Sequence, residues 1–340
     1  MSIEAEIDEL QKPLSAAKPC GEDLEDTHLL ASFDGFRLFG RSVPLPPETD
    51  WRDIKAKSIA AMRSSKDFRL LGHFAAASLR LDGWSGFLGA VHVAAAWIKE
   101  YWSDVYPRVD DDAILRKNAL NSLSDRMAVL AGLRRLPIVE HRQLGRISLR
   151  DVDLATGKMP AAESDTSPAT ESQVSAVFGA AALEDLQADK SRIDGAIADL
   201  TAIDTAMREF GGTAASPDFE PLVAAAGESA GPGLLVRIRD LLAEQIGLRA
   251  PAAAGAAAGS AQAEAGAAAG VAAGPIKTRQ DALRSLEAVT LFFRQTEPSS
   301  PIPLLLDRAK NLIGKDFLEI LASIAPEGVA TARNAGGLKD

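Results

Sequence analysis

Residues 250–275 comprise fifteen Ala, five Gly and two Pro, with only Ser260, Gln262, Glu264 and Val271 besides. No hydrophobic core can run through such a stretch, so whatever folds must fold on either side of it. Ala favours helix, but Gly255, Gly259, Gly266, Gly270 and Gly274 each weaken one by about 1 kcal/mol relative to Ala. The Gly255–Gly259, Gly266–Gly270 and Gly270–Gly274 spacings match the small-xxx-small pattern of membrane helix pairs, yet the Leu, Ile and Phe that favour insertion are missing. The expectation is a flexible linker with a root-mean-square span of roughly 28 Å. It separates a large acidic body from a piece formed by residues 276–340.

At 340 residues and 46% apolar, the chain is long and oily enough for two or three cores. Its net charge is −10, while residues 276–340 hold nine Lys or Arg against eight Asp or Glu, so the acidity belongs to the body. An acidic body lacks the clustered Lys and Arg that neutralise phosphates, which argues against nucleic acid as a partner. Cys20 is the only cysteine, so no intramolecular disulfide can form and a reducing compartment fits. Glu4, Glu6, Asp8 and Glu9 are unlike the start of a secretory signal, and no segment reaches the apolar length of a spanning helix. A cytoplasmic protein without direct membrane insertion is expected.

Helical periodicity dominates, and the fold class expected is all-α. Residues 2–11 read as a short amphipathic helix ended by Pro13, and 19–47 as irregular, with Pro44, Pro46 and Pro47 near the end. A helix begins at Trp51, and a second opens at Ser65–Asp67 and runs to Gly83. A third carries Phe87, Leu88, Val91, Ala94, Ile98, Trp102 and Val105 on one face and closes at Pro107. Gly86 and Gly89 near its start leave room for another helix to come close. A fourth helix is expected from Ile114 to Pro137, preceded by the acidic turn Asp110–Asp112, whose carboxylates suit a helix amino terminus. Residues 145–154 read as a short extended piece, and 171–210 and 217–247 as two further helices.

Residues 276–340 read as three helices, opened by a capping-box-like Thr278 and Asp281 and broken at Pro298, Gly314 and Pro326. Three short helices cannot bury all the apolar side chains present, and self-association would cover the excess. The residues expected at that interface are Leu286, Val289, Phe292, Phe293, Ile302, Leu304, Leu305, Leu306, Phe317 and Ile320. The division expected is a helical domain over 1–158, a helical middle region over 171–249, the linker over 250–275 and an oligomerising helical domain over 276–340.

Catalytic patterns are sparse. Gly227-Glu228-Ser229-Ala230-Gly231 has the form of a nucleophile elbow, but that device needs a preceding buried strand and a histidine after the serine. Here His28, His73, His92 and His141 all precede Ser229, and a small-residue turn between helices is the plainer reading. Neither His73 nor His92 has a second ligand at metalloprotease spacing, and Asp110–Asp112 lacks the alternating oxygen donors of a calcium loop. No phosphate-binding loop of the Gly-x-x-x-x-Gly-Lys type occurs. The residues therefore imply no catalytic group, no metal and no cofactor. Trp84, Trp97, Tyr101, Trp102 and Tyr106 lie within 23 residues of one another. Such side chains anchor interfaces, which makes them candidates for partner contact, with core packing as the default at helical spacing.

A resemblance emerges from several strings taken together: Pro19-Cys20-Gly21-Glu22-Asp23-Leu24, Asp50-Trp51, Ser65-Lys66-Asp67-Phe68-Arg69-Leu70 and Gly83-Trp84-Ser85-Gly86-Phe87. They continue with Tyr101-Trp102-Ser103-Asp104-Val105-Tyr106-Pro107, Asp111-Asp112, Arg116 and Ala119-Leu120. In this order the strings resemble the ImpA amino-terminal domain that marks the TssA family of bacterial type VI secretion systems, and Ser148-Leu149-Arg150-Asp151 resembles the stretch after it. Glu297-Pro298-Ser299-Ser300-Pro301-Ile302-Pro303-Leu304-Leu305-Leu306-Asp307-Arg308-Ala309, with Asp316-Phe317-Leu318-Glu319, is similar to the carboxy terminus of the short, baseplate-associated class. The resemblance implies a non-enzymatic scaffold whose terminal domain forms a homo-oligomeric ring and whose partners are baseplate, tube and sheath proteins near the inner membrane. Longer relatives cap the distal end of the sheath, which is the alternative role; a hydrolase using Ser229 is the rival from another class.

Overall fold

The computed structural model describes residues 2–109, 113–161, 168–225 and 231–249, and beyond them only Leu286, Val289, Thr290, Phe293, Arg294, Ile302, Leu305, Leu306, Asp307 and Lys310. The Ala/Gly tract, the Asp110–Asp112 turn, Gly227–Ala230, Thr278 and Asp281, and Phe292, Leu304, Phe317 and Ile320 lie outside the described residues. The chain divides into two compact units, Met1–Ala257 and Ala258–Asp340.

The first unit is built around α4 (Phe68–Leu81), which buries eleven of its fourteen residues. Its Ala75, Ala76 and Ala77 turn let α3 (Trp51–Met62) and α5 (Gly83–Tyr101) lie close on either side. Polar side chains start these helices where the sequence offers them. Ser2 accepts from the Ala5 N–H at the head of α1 (Ile3–Gln11), Asp50 from Asp53 at α3, and Asp67 from Arg69 at α4. Asp67, rather than Ser65, is thus the cap, and Ser65 is buried.

The stripe on α5 buries Phe87, Leu88, Val91, Ala94 and Ile98, as its spacing predicts. The two glycines do what their size allows. A Cβ on Gly86 would sit 2.5 Å from the Ser78 carbonyl oxygen of α4, and one on Gly89 would sit 2.6 Å from Cγ1 of Ile7 on α1. Lys55 of α3 then ties the corner together, with Nζ 2.7 Å from both Glu6 and Asp82. Although burial opposes its charge, those two carboxylates hold the Lys55 ammonium above its ordinary range.

Several expectations change in the folded chain. The 19–47 stretch contains a short helix, α2 (His28–Asp34), capped by the Thr27 hydroxyl. The single helix expected from Ile114 to Pro137 is α6 (Ile114–Asn121), then a 3-10 turn (Ser122–Ser124), a π-type turn (Arg126–Leu130) and α7 (Ala131–Leu133). Asp125 causes that break: its carboxylate accepts the Met127 and Ala128 N–H groups and restarts the backbone. Ile114, placed on the apolar stripe, is exposed.

The extended piece over 145–154 is half strand. β1 (Pro137–His141) pairs antiparallel with β2 (Gly145–Ser148), and α8 (Leu149–Ala155) begins at once because Ser148 and Asp151 form a reciprocal capping box. The unit is therefore mostly helical with one hairpin. The helix expected over 171–210 is α9 (Glu171–Ala180) and α10 (Leu183–Gly211), parted by extended backbone at Ala181–Ala182. The one expected over 217–247 is α11 (Glu220–Val223) and α12 (Leu234–Gly247). α10 packs on both α5 and α12, so the middle helices share one continuous core with the amino-terminal ones.

In the second unit Leu286, Val289, Thr290, Phe293 and Arg294 are helical, as are Ile302, Leu305, Leu306, Asp307 and Lys310. Arg294 pairs with Asp307 at 2.6 Å, and Lys310 with the same carboxylate at 2.7 Å. These cations hold the Asp307 carboxyl below its usual range, the Lys310 hydrogen bond contributing most. Among the described residues of this unit the buried one is Thr290, whose hydroxyl donates to the Leu286 carbonyl at 2.7 Å. Val289 is 43% exposed and Leu305 63% exposed, while Leu286, Phe293, Ile302 and Leu306 are half-buried. Leu305, one of the residues expected at the interface between copies, is on the surface of its unit.

Candidate functional site

The strings that distinguish this sequence meet in one place. Cys20–Glu22, Ser64–Phe68 and Val105–Pro107 run side by side: Glu22 N–H donates to Ser64 O at 2.9 Å and Lys66 N–H to Cys20 O at 2.8 Å. Tyr106 N–H donates to Lys66 O at 3.0 Å and Phe68 N–H to Tyr106 O at 2.9 Å. Gly21 is needed there, because its φ is +75° and a Cβ would lie 2.0 Å from the Ser64 carbonyl oxygen.

Two buried cations surround this knot, and neither has a carboxylate partner among the described residues. Arg116 of α6 is 0% exposed; its Nε donates to Pro107 O at 2.8 Å, Nη1 to Trp102 O at 3.0 Å and Nη2 to Val105 O at 2.7 Å. The guanidinium also stacks on Trp102, 4.7 Å from the ring centre. Burial lowers it to about 10, so it stays charged at neutral pH and completes the carbonyls that follow α5. Lys66 donates from Nζ to Leu10 O at 2.5 Å and lies 4.9 Å from the Trp97 ring centre. Burial lowers its ammonium to about 8 and pushes the nearby Cys20 thiol up to about 11, which leaves Cys20 a packing residue rather than a nucleophile. Trp97 Nε1–H shares the Leu10 carbonyl at 2.8 Å.

The aromatic cluster belongs to this interior. Trp97 and Tyr106 are buried, Trp84 donates Nε1–H to Pro137 O at 2.8 Å, and Tyr101 and Trp102 are half-buried. Trp97 and Tyr106 offer no surface to a partner in this fold; their expected contact role gives way to packing and hydrogen bonding inside the chain.

What the knot presents to solvent is a cleft of about 780 Å³ between α2, the Phe39–Gly40 loop, α4 and α6. Phe33, Phe39, Leu30, Ala119 and Leu115 supply its apolar lining, and Glu25, Asp26, Asp34 and Asp125 its carboxylates. Arg69 is the guanidinium among the lining residues, and Asp67 and Glu25 engage it from two sides. Although burial opposes its charge, those partners hold it above its ordinary range. His73 lies beneath, edge-on to Phe33 and Phe39, with Nδ1 2.9 Å from Arg69 O. Burial lowers it, against the raising influence of the Arg69 and Phe33 carbonyls and Asp34, so it is neutral at pH 7. None of these residues was singled out as a site from sequence. The available signal was the adjacent apolar pair Ile114 and Leu115 at the start of α6, both of which are exposed in the fold.

Ser229 lies outside the described residues. The segment before it is the helix α11 instead of the strand a nucleophile elbow requires, and Gly233 N–H donates to Ala224 O at 2.9 Å to close the loop.

Residues 11–125 match the family described as ImpA, N-terminal, type VI secretion system. The chain is 30% identical over 343 residues to the type VI secretion system component TssA1 of Pseudomonas aeruginosa, with 93% of this chain and 94% of that protein covered. Its fold is similar to the solved amino-terminal domain, including the conserved ImpA_N region, of the TssA component from Burkholderia cenocepacia. That likeness has a TM-score of 0.52 at 21% identity and covers 72% of this chain and 94% of that one. Near-complete coverage at this identity, together with strings that converge on one buried knot, places the chain in the TssA family of type VI secretion components.

Proposed function

We propose that this chain is a non-enzymatic, ring-forming scaffold of the type VI baseplate. Residues 276–340 join copies into a hub, the 250–275 tract tethers the bodies to it, and the ImpA-like body recruits baseplate, tube and sheath proteins on the cytoplasmic side of the inner membrane. Among the described residues no helix is long and apolar enough to cross a membrane.

The observation that carries this reading is the outward placement of Val289 and Leu305 among the described residues of the second unit. Exposing a large aliphatic side chain forfeits roughly 1.5–3 kcal/mol of burial, which a neighbouring copy would recover. A ring also multiplies weak contacts, because each tethered body binds a symmetric partner at high effective concentration. The tail strings Glu297–Ala309 and Asp316–Glu319 favour the short, baseplate-associated class.

Light scattering on the full chain tests the hub. The expected wild-type mass is a multiple of 35.8 kDa, and Leu305→Asp should return it to 35.8 kDa without loss of body helicity. A wild-type chain that is monomeric at micromolar concentration overturns the proposal.

A further inference from the structure

The cleft between α2, α4 and α6 is chemically one-sided. Its lining holds four carboxylates, Glu25, Asp26, Asp34 and Asp125, against the guanidinium of Arg69. That guanidinium is already engaged by Asp67 and Glu25, so it has little to offer an incoming anion. Asp125 is likewise committed, accepting the Gly40, Met127 and Ala128 N–H groups. Asp26 and Asp34 remain: both are exposed, and neither has an ion-pair partner among the described residues. Between the carboxylates the lining is apolar, and Leu115, 58% exposed, stands in it on α6. Nothing in the folding of the unit requires that leucine at a solvent-facing position.

We propose that this cleft receives a cationic segment of a type VI partner subunit, with one large apolar side chain seated against Leu115 and Phe39 and flanking Lys or Arg facing Asp26 and Asp34. Charge complementarity selects this occupant. An acidic segment would meet uncompensated carboxylates, and a second copy of the body would bring more negative charge, since the whole chain carries −10 while residues 276–340 are near neutral. The volume suits one or two side chains and not a folded domain. The inference rests on the reading of the body as the recruiting half, and is independent of the ring.

The test uses the full chain and an array of overlapping fifteen-residue peptides from the baseplate, tube and sheath proteins of the same apparatus, with affinities of retained peptides measured by fluorescence anisotropy. Retained peptides are expected to be net positive, to carry at least one large apolar residue, and to weaken as salt rises. Leu115→Asp alters the apolar seat and Asp34→Lys the charge; each should reduce affinity tenfold or more. Leu144→Ser, which removes an exposed leucine at the hairpin turn, should leave affinity unchanged. Thermal melts of all variants control for folding, which these exposed positions should not disturb. Retention of neutral or acidic peptides, no retained peptide at all, equal binding by both cleft variants, or loss of the multimer on Leu115→Asp would each overturn the assignment, the last by showing a second copy in the cleft. Secretion separates the two levels. Cleft variants that secrete like wild type sink this inference alone, whereas a wild-type chain that neither multimerises nor supports secretion sinks the scaffold.

Discussion

The body and the tail treat their misplaced chemistry in opposite ways. The body hides charge: Arg116 and Lys66 are buried among carbonyls and aromatic rings, each side-chain nitrogen given a carbonyl acceptor. Among its described residues the tail displays oil: Val289 and Leu305 face outward while Thr290 is buried. A buried cation held by backbone carbonyls stiffens one arrangement of the backbone and is out of reach of a partner. An exposed aliphatic side chain is unsatisfied until something covers it. The strings of the body that identify the family therefore mark its architecture, and the body's associations are to be sought at residues those strings do not include.

The sharpest way to break this contrast is to attack the hidden charge. Arg116→Met leaves three carbonyls without donors and should destabilise the body by about 3 kcal/mol or more, read as a lower urea midpoint at unchanged slope. A midpoint that does not move would mean the knot is ornamental. Gly86→Ala drives a methyl into the Ser78 carbonyl and should lower stability by roughly 1–3 kcal/mol; unchanged melting would show that α4 and α5 can part without penalty.

A pH series sharpens the picture further. His73 is lowered by burial, so the unfolded chain, titrating near pH 6.5, takes up its proton first. Stability from this group is complete above that pH and is lost as pH falls through it toward the lower native value. His73→Gln should flatten the stability profile between pH 7 and 5; an unaltered profile would place the titration elsewhere. The smallest effect belongs to the tail. Val289→Ser should shift body stability by no more than about 0.5 kcal/mol while lowering the molar mass of the assembly. Coupled losses in both would contradict separate units.

Much of the helical order was readable because α1 and α4 combine a clear apolar period with a capping Ser or Asp and a closing Pro or Gly, and α5 carries a strong apolar period of its own. The stretch beyond Ile114 was not, since Asp125 uses its carboxylate to interrupt a pattern that apolar spacing alone would continue. At 148–151 the capping signal was present in Ser148 and Asp151, and the strand-like Ile147 and Leu149 masked it. The split at Ala181–Ala182 has no local signal at all: alanines favour helix, and packing of α9 against the hairpin overrides them. As for the cleft, its parts lie in four separate segments, and only their exposure in the fold distinguishes Leu115 and Asp34 from ordinary helix residues.

The shared acceptor at Leu10 has a practical bearing on how this protein can be shortened. The family match begins at residue 11, one position after the carbonyl on which both the Lys66 ammonium and the Trp97 indole converge. Trimming to that boundary would strand two interior donors at once, so a fragment cut by homology would misbehave for reasons unrelated to its biology. A label placed ahead of Ser2 leaves the anchorage intact.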